Sequence, residues 1–354
     1  MKLSLCMIVK DEKENLEGCL SKIASFVDEI VIVDTGSKDC TKDIAKKYTN
    51  KIYDFNWCND FSKARNYSIE KASNDWVLVL DADEYIEEFN KSAIEDSIKK
   101  DFNNTKVGRI KRINVIEDSN GDKKYIEYVN RLFNKKYFHY EGMIHEQIVS
   151  LQDKTYDTFK LRITANHIGY TKEVLSRTNK LKRNIDMLRE AIRENPKDPY
   201  LYFQLGKSYF MKKDYIKSAC NFEKALSFKL DFRLEYVSDL VESYGYSLIN
   251  SNDFSKALTL EKFRELYANQ PDFHFLLGLI YMNNAKFTEA VESFLKCTEF
   301  TEGKVEGITS FLPNYNIGVI FDILGYKEEA FGFYKKCGDY KPAVNNINAI
   351  LNKK

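Results

Sequence analysis

The segment Asp81-Ala82-Asp83-Glu84 directly follows the apolar run Trp76-Val77-Leu78-Val79-Leu80. A hard divalent cation takes carboxylate oxygens. Two carboxylates just past a buried strand hold such an ion without a flexible loop. A cation that bridges two phosphates stabilises the charge developing as a nucleoside diphosphate leaves. An isolated Asp-x-Asp is also compatible with a solvated turn, so its surroundings decide. Lys10-Asp11-Glu12, Asp34-Thr35-Gly36-Ser37 and Glu141-Gly142-Met143-Ile144-His145-Glu146-Gln147 are further clusters of ionisable groups. Arg65 offers a planar fork for a base carbonyl or a phosphate, or else a solvated helix charge. Arg131 is placed to orient a diphosphate or an acceptor, or to form a strand salt bridge. His139 and His274 have no supporting motif and read as structural.

Elements must bring these clusters together. Leu3–Val9, Glu29–Val33, Lys51–Phe55 and Trp76–Leu80 read as strands. Glu14–Ala24, Thr41–Tyr48 and Phe61–Ala72 carry helical spacing between them. That alternation implies a parallel sheet of the doubly wound type. Ligands of such sheets bind beyond the carboxyl ends of the strands. Lys10-Asp11-Glu12, Asp34 and Asp81-Ala82-Asp83 all fall at those ends. From about 105 to 170 the pattern turns to shorter sheet segments: Val107–Val115, Tyr125–Phe133, Phe138–Tyr140 and Leu161–His167. Asn120-Gly121 suits a hairpin turn.

The three segments Leu3–Glu12, Ile30–Ser37 and Val77–Glu84, in this order and spacing, resemble family 2 glycosyltransferases of the GT-A fold. The resemblance covers roughly the first 170 residues. It implies an inverting transfer from a nucleotide-diphosphate sugar, usually a UDP-sugar carrying a hexose or N-acetylhexosamine, with Mn2+ or Mg2+ as cofactor. It places Ile8, Val9, Lys10 and Glu12 along the nucleotide pocket and Asp34 on the base. The family's common Pro-Thr-Tyr-Asn-Glu reads here Ile8-Val9-Lys10-Asp11-Glu12, with Lys10 in place of the stacking aromatic and able to meet a phosphate. Asp34 alternatively caps the turn into Thr35-Gly36-Ser37. The stretch Asn59–Asn66 resembles the family's helix whose arginine, here Arg65, faces the nucleotide. Asp81, Ala82 and Asp83 then form the sugar-nucleotide and metal motif. Asp83 is the direct metal ligand, while Asp81 meets ribose or metal-bound water. His167, in Asn166-His167-Ile168-Gly169-Tyr170, corresponds to the late histidine that joins the metal in many members, or is structural. The general base falls on Glu146, with His145 second. Such a base works best partly desolvated, with its pKa raised toward neutral.

After Pro196 the chain repeats itself. Glycines stand at 206, 245, 278 and 318, at intervals of 39, 33 and 40, and Ser218, Ala257, Ala290 and Ala330 each follow one by twelve. This resembles tetratricopeptide repeats, paired helices with a period near 34. The second copy lacks the later aromatic. The expected organisation is an α/β GT-A (Rossmann-like) domain over 1–172, a helical linker over 173–195, and an all-α tetratricopeptide-like domain of about four repeats over 196–354.

The chain has 354 residues, with 54 basic and 53 acidic ones. That balance leaves no electrostatic footprint for nucleic acid. Seven cysteines without a Cys-x-x-Cys pair read as reduced, mostly buried thiols rather than a zinc site. The longest apolar stretch, around Phe275–Met282, is too short to span a bilayer. No secretory leader pattern opens the chain, so a cytoplasmic location is expected. Repeat arrays form concave surfaces that hold extended peptides or helices. The expected acceptor is therefore a protein or peptide. The alternatives are a cell-surface saccharide acceptor, with a homodimer formed through the repeats, and a non-catalytic scaffold.

Overall fold

The computed structural model describes residues 1–101, 105–116, 123–152, 154–168 and 180–352. The Asn120-Gly121 turn, the Gly169-Tyr170 pair and residues 173–179 of the expected linker lie outside the described residues. The chain divides into two compact units, Met1–Glu117 with Lys124–Thr178, and Asn179–Lys354.

The first unit is built on an eight-stranded sheet. Its strands are β1 (Leu3–Val9), β2 (Glu29–Asp34), β3 (Ile52–Asp54), β4 (Trp76–Val79), β5 (Glu84–Phe89), β6 (Val107–Ile116), β7 (Lys123–Asn134) and β10 (Thr158–His167), in the order β3-β2-β1-β4-β7-β6-β10-β5. The first three connections run through α1 (Leu16–Ile23), α2 (Thr41–Lys46) and α3 (Phe61–Lys71). The pairs β1–β2, β1–β4 and β2–β3 are parallel, as the strand–helix alternation requires. The sheet does not stay parallel: β7 runs antiparallel to β4, and β5 antiparallel to β10. Three elements were not foreseen: β5, α4 (Lys91–Lys99) and β9 (Gln147–Ser150). The run Glu84-Tyr85-Ile86-Glu87-Glu88-Phe89 forms a strand despite its three acids: Glu84 and Ile86 are buried and the strand closes the far edge of the sheet. A separate hairpin joins β8 (Phe138–Glu141) to β9 (Gln147–Ser150).

The core has two faces. Leu3, Leu5, Met7, Leu16, Leu20, Leu78 and Ile163 meet on one. Cys6, Val31, Val77, Val79, Phe133 and Tyr140 meet on the other. Alternate residues of β1 and β4 point opposite ways, as a sheet covered on both faces demands.

The second unit is helical: α5 (Lys180–Glu194), then the pairs α6/α7 (Pro199–Met211, Tyr215–Leu226), α8/α9 (Glu235–Asn250, Phe254–Ala257), α10/α11 (Pro271–Asn283, Phe287–Cys297) and α12/α13 (Phe311–Ile323, Lys327–Lys335), closed by α14 (Lys341–Leu351). A Cβ at Gly206, Gly278 or Gly318 would stand 2.5–2.6 Å from the ring of Phe222, Phe294 or Tyr334. The glycine lets the paired aromatic lie flat against the backbone. The four small residues twelve positions on, Ser218, Ala257, Ala290 and Ala330, are fully buried. Each pair turns through one left-handed residue: Lys213, Asn252, Ala285 and Gly325. The second pair has Glu261 where the others place an aromatic, and its second helix shrinks to one α turn followed by a 3-10 stretch, Leu258–Phe263. Helix α5 behaves as a repeat helix. Arg189 donates to the Tyr209 hydroxyl at 2.6 Å, as Arg264 does to Tyr281 at 2.6 Å.

Of the seven cysteines, all free, four are buried and Cys40, Cys58 and Cys220 are exposed. Among the described residues, no helix is long and apolar enough to cross a membrane.

Candidate functional site

The carboxyl ends of β1, β2 and β4 lie side by side. Val9 pairs with Asp34, and Cys6 pairs with Val79. Thr35 donates to the Val9 carbonyl from its amide at 2.9 Å and from its hydroxyl at 3.1 Å. The Glu12 amide donates to the Thr41 hydroxyl at 2.7 Å, and the Lys38 amide to Asp11 at 2.7 Å. Ile8 is half-buried and Lys10 exposed at this edge.

Asp34 is 1% exposed. Its Oδ1 accepts from the amides of Gly36 and Ser37 at 2.9 Å each, so one oxygen does cap the turn. Its Oδ2 is buried with no hydrogen-bond partner among the described residues. An acceptor left unmet in a buried position calls for a donor.

Asp81 is gripped from two sides. Arg65 Nη2 donates to Oδ1 at 2.7 Å, and Arg131 Nη2 to Oδ2 at 2.8 Å. Burial opposes the charge on Asp81, but the two guanidiniums outweigh it and hold the carboxyl well below the usual range. Burial likewise works against both arginines. Asp81 and Glu146 overcome it at Arg65, Glu84 and Asp81 at Arg131, and both stay above the ordinary arginine value. The side chain expected to touch ribose or metal-bound water thus accepts one arginine nitrogen on each oxygen and keeps 31% of its surface exposed. Ala82 is buried between the two acids.

Arg65 also reaches the downstream loop, donating through Nε to Glu146 Oε1. Helix α3 supports that loop at three points. The Phe61 amide donates to the Met143 carbonyl at 2.9 Å. Asn66 pairs with the Tyr140 backbone, donating at 2.8 Å and accepting at 2.9 Å, in place of a neighbouring strand. Arg65 supplies the third. His145, beside Glu146, sits at φ 51°, a left-handed conformation a non-glycine residue adopts at a cost of order 1 kcal/mol. Tyr140 lies under Arg65, whose guanidinium carbon is 5.6 Å from the ring centre. Burial pushes its hydroxyl up to about 12, and that hydroxyl finds no partner among the described residues.

Asp83 and His167 form a second centre. His167 Nε2 is 3.3 Å from Asp83 Oδ2, and the Ile168 amide donates to the Asp83 carbonyl at 3.3 Å. Behind them, Glu84 Oε1 accepts from Arg131 at 2.6 Å and from Arg112 at 3.0 Å, and its Oε2 from the Asp81 amide at 3.1 Å. Among the described residues no three His, Cys, Asp or Glu side chains gather as a complete metal site.

Of the anticipated acids and arginines, Arg65, Arg131 and Glu146 gather around Asp81, Asp83 pairs with His167, and Glu12 and Asp34 stand at the ends of β1 and β2 with partners of their own. Arg112, Asn114, Glu127 and Tyr140 were not anticipated. Arg112 and Asn114 stand two apart on one strand face, with Asn114 2% exposed. Two polar residues at period two inside a sheet segment are the signal that marks them.

Residues 4–155 match the profile of Glycosyl transferase family 2, and residues 271–303 that of a tetratricopeptide repeat. A TPR repeat-containing protein of Synechococcus elongatus is 32% identical over 215 residues, 58% of this chain and 51% of that protein. Glycosyltransferase SunS of Bacillus phage SPbeta is 28% identical over 240 residues, 61% of this chain and 52% of that protein. The chain spans about half the length of these curated relatives. Among solved structures, YrrB, a TPR protein with an unusual peptide-binding site, is 23% identical, with a TM-score of 0.41 over 51% of this chain and 88% of that one. The N-terminal part of the chain is thus a family 2 glycosyltransferase domain, followed by a tetratricopeptide repeat.

Proposed function

We propose that the first unit transfers a glycosyl group, with inversion, from a nucleoside diphosphate sugar to a protein or peptide. The observation that carries this reading is the double grip of Arg65, which ties Asp81 of the acidic motif to Glu146, 81 residues away. A carboxylate held at fixed distance from a phosphate-binding motif is what an inverting transfer needs.

The geometry supports a role for each residue. The unmet Oδ2 of Asp34 accepts a base N–H, which uracil supplies at N3. Asp83 and His167 fit Mn2+ or Mg2+ as a partial set, one carboxylate and one imidazole, with diphosphate and water oxygens filling the rest. When bound, the ion offsets charge on the departing diphosphate. Asp81 acts through the two arginines it fixes rather than as a ligand. The acceptor nucleophile attacks the anomeric carbon, the bond to the diphosphate oxygen breaks, and the diphosphate leaves with the electron pair. Glu146 takes the acceptor's proton, while His145 sets the backbone turn that aims it.

The repeats give the acceptor class its support. Helix pairs stacked in series present an extended surface suited to a polypeptide. Mass spectrometry of peptide and saccharide acceptors after incubation with a panel of sugar nucleotides tests this. A mass gain of one sugar on peptides supports the reading. Transfer to saccharides only contradicts it and favours a surface-saccharide enzyme.

A further inference from the structure

We infer that Asn114 and Glu127 are positioning residues that fix His167 in its Nδ1–H tautomer, aiming the Nε2 lone pair at Asp83. The inference rests on the proposed role of Asp83 and His167 as metal ligands.

The hydrogen bonds leave one assignment. Asn114 Nδ2 lies 2.6 Å from Glu127 Oε1 and 3.4 Å from the Tyr125 carbonyl, and both of these only accept. The amide nitrogen must face them, so Asn114 Oδ1 faces His167 Nδ1, at 2.7 Å. An oxygen acceptor there requires the proton on Nδ1. With Nδ1 holding the ring's one proton, as a metal-binding imidazole must, Nε2 presents its lone pair to Asp83 Oδ2, 3.3 Å away. Two acceptors facing each other at that distance are suited to a cation between them.

The arrangement is anchored by the sheet. His167 pairs with Asn114 in the parallel register of β10 on β6. Arg112, two residues before Asn114 and on the same strand face, holds Glu127 Oε1 through Nη2 at 2.8 Å and Nε at 3.1 Å. Its Nη1 reaches Glu84, which also caps the Asp81 amide. The orientation of the imidazole is thereby tied to the turn that carries Asp83. Partners of this kind set ring orientation and ligand basicity, and removing one typically costs about 10–100-fold in metal affinity.

The test uses the full chain in two measurements. Nitrogen-15 NMR of the imidazoles in metal-free protein, with the His167 signals assigned through His167→Gln, reads the tautomer. Titration with Mn2+ alone, followed by electron paramagnetic resonance, reads affinity. Wild type should show Nδ1–H. Glu127→Gln keeps side-chain size but offers Asn114 a donor, so the amide is free to flip. It should move His167 toward Nε2–H and weaken Mn2+ about tenfold or more. Asn114→Leu should remove the preference altogether. The exchanged pair Asn114→Asp with Glu127→Gln restores the acceptor and should restore both readouts, which a merely structural role would not do. A tautomer unmoved by Glu127→Gln and Asn114→Leu overturns this inference alone. Mn2+ affinity unmoved by His167→Gln overturns the metal reading alone.

Discussion

His167 Nε2 faces Asp83 Oδ2 at 3.3 Å, and the two residues meet because the amide after His167 bonds the Asp83 carbonyl. The pair spans the end of β10 and the turn after β4, so neither residue can be moved without disturbing the sheet. Asp83→Asn and His167→Gln should each weaken Mn2+ binding at least about tenfold while leaving the far-ultraviolet circular dichroism unchanged. Equal affinity in both variants and wild type would remove the metal from this site.

Arg65 is buried and makes two ion pairs at once. Removing it strands Glu146 and half of the Asp81 grip. Arg65→Met should lower unfolding free energy by roughly 2–3 kcal/mol in urea titrations, less than a fully buried pair because Asp81 keeps 31% of its side chain exposed. Arg65→Lys cannot span both carboxylates and should cost activity as well. A change under about 0.5 kcal/mol for Arg65→Met would show the bridge to be incidental.

In the repeat unit, Glu242 is buried beside Lys304, Asp239 and Asp272. Burial pushes its carboxyl up to about 7, with Lys304 opposing and the two aspartates adding. The folded state therefore holds the Glu242 proton more tightly than the unfolded chain. This contribution is present in full below the ordinary glutamate value and is lost as pH rises through about 7. Glu242→Gln should flatten the pH dependence of stability between about 5 and 8 and raise stability at pH 8 by roughly 1–3 kcal/mol. A wild-type curve rising over that range would contradict the assignment.

Gly278 leaves its Phe294 partner no room for a side chain, with the ring 2.5 Å from a built Cβ. Alanine gains helix propensity of up to about 1 kcal/mol but must displace the ring. Gly278→Ala should lose about 1–3 kcal/mol net, measured by urea denaturation, and Gly278→Ala with Phe294→Leu should recover part of it. Stabilisation by the single change would refute the close-packing account.

Much of this was legible in sequence because it depends on local pattern. The strands β1, β2 and β4 are continuous apolar runs that end in acids. The glycine, small-residue and aromatic offsets are the repeat packing itself. What escaped depends on long-range pairing. Nothing near Asn114 signals that it will meet His167, since only the β6–β10 register brings them together. The strand opened by Glu84-Tyr85-Ile86 carries no apolar run in sequence, and its burial rests on Arg112 and Arg131, which arrive from distant strands to neutralise Glu84. The second repeat's missing aromatic was visible, but its consequence, a shortened second helix, was not.

The most direct test is release of nucleoside diphosphate from a panel of sugar nucleotides, with Mn2+ or with chelator, comparing wild type and Glu146→Gln. The account predicts release from one uridine donor by wild type, only with metal, and a fall of about 10²–10⁴-fold in Glu146→Gln with donor binding kept. Equal release by Glu146→Gln, or undiminished release under chelation, would contradict it.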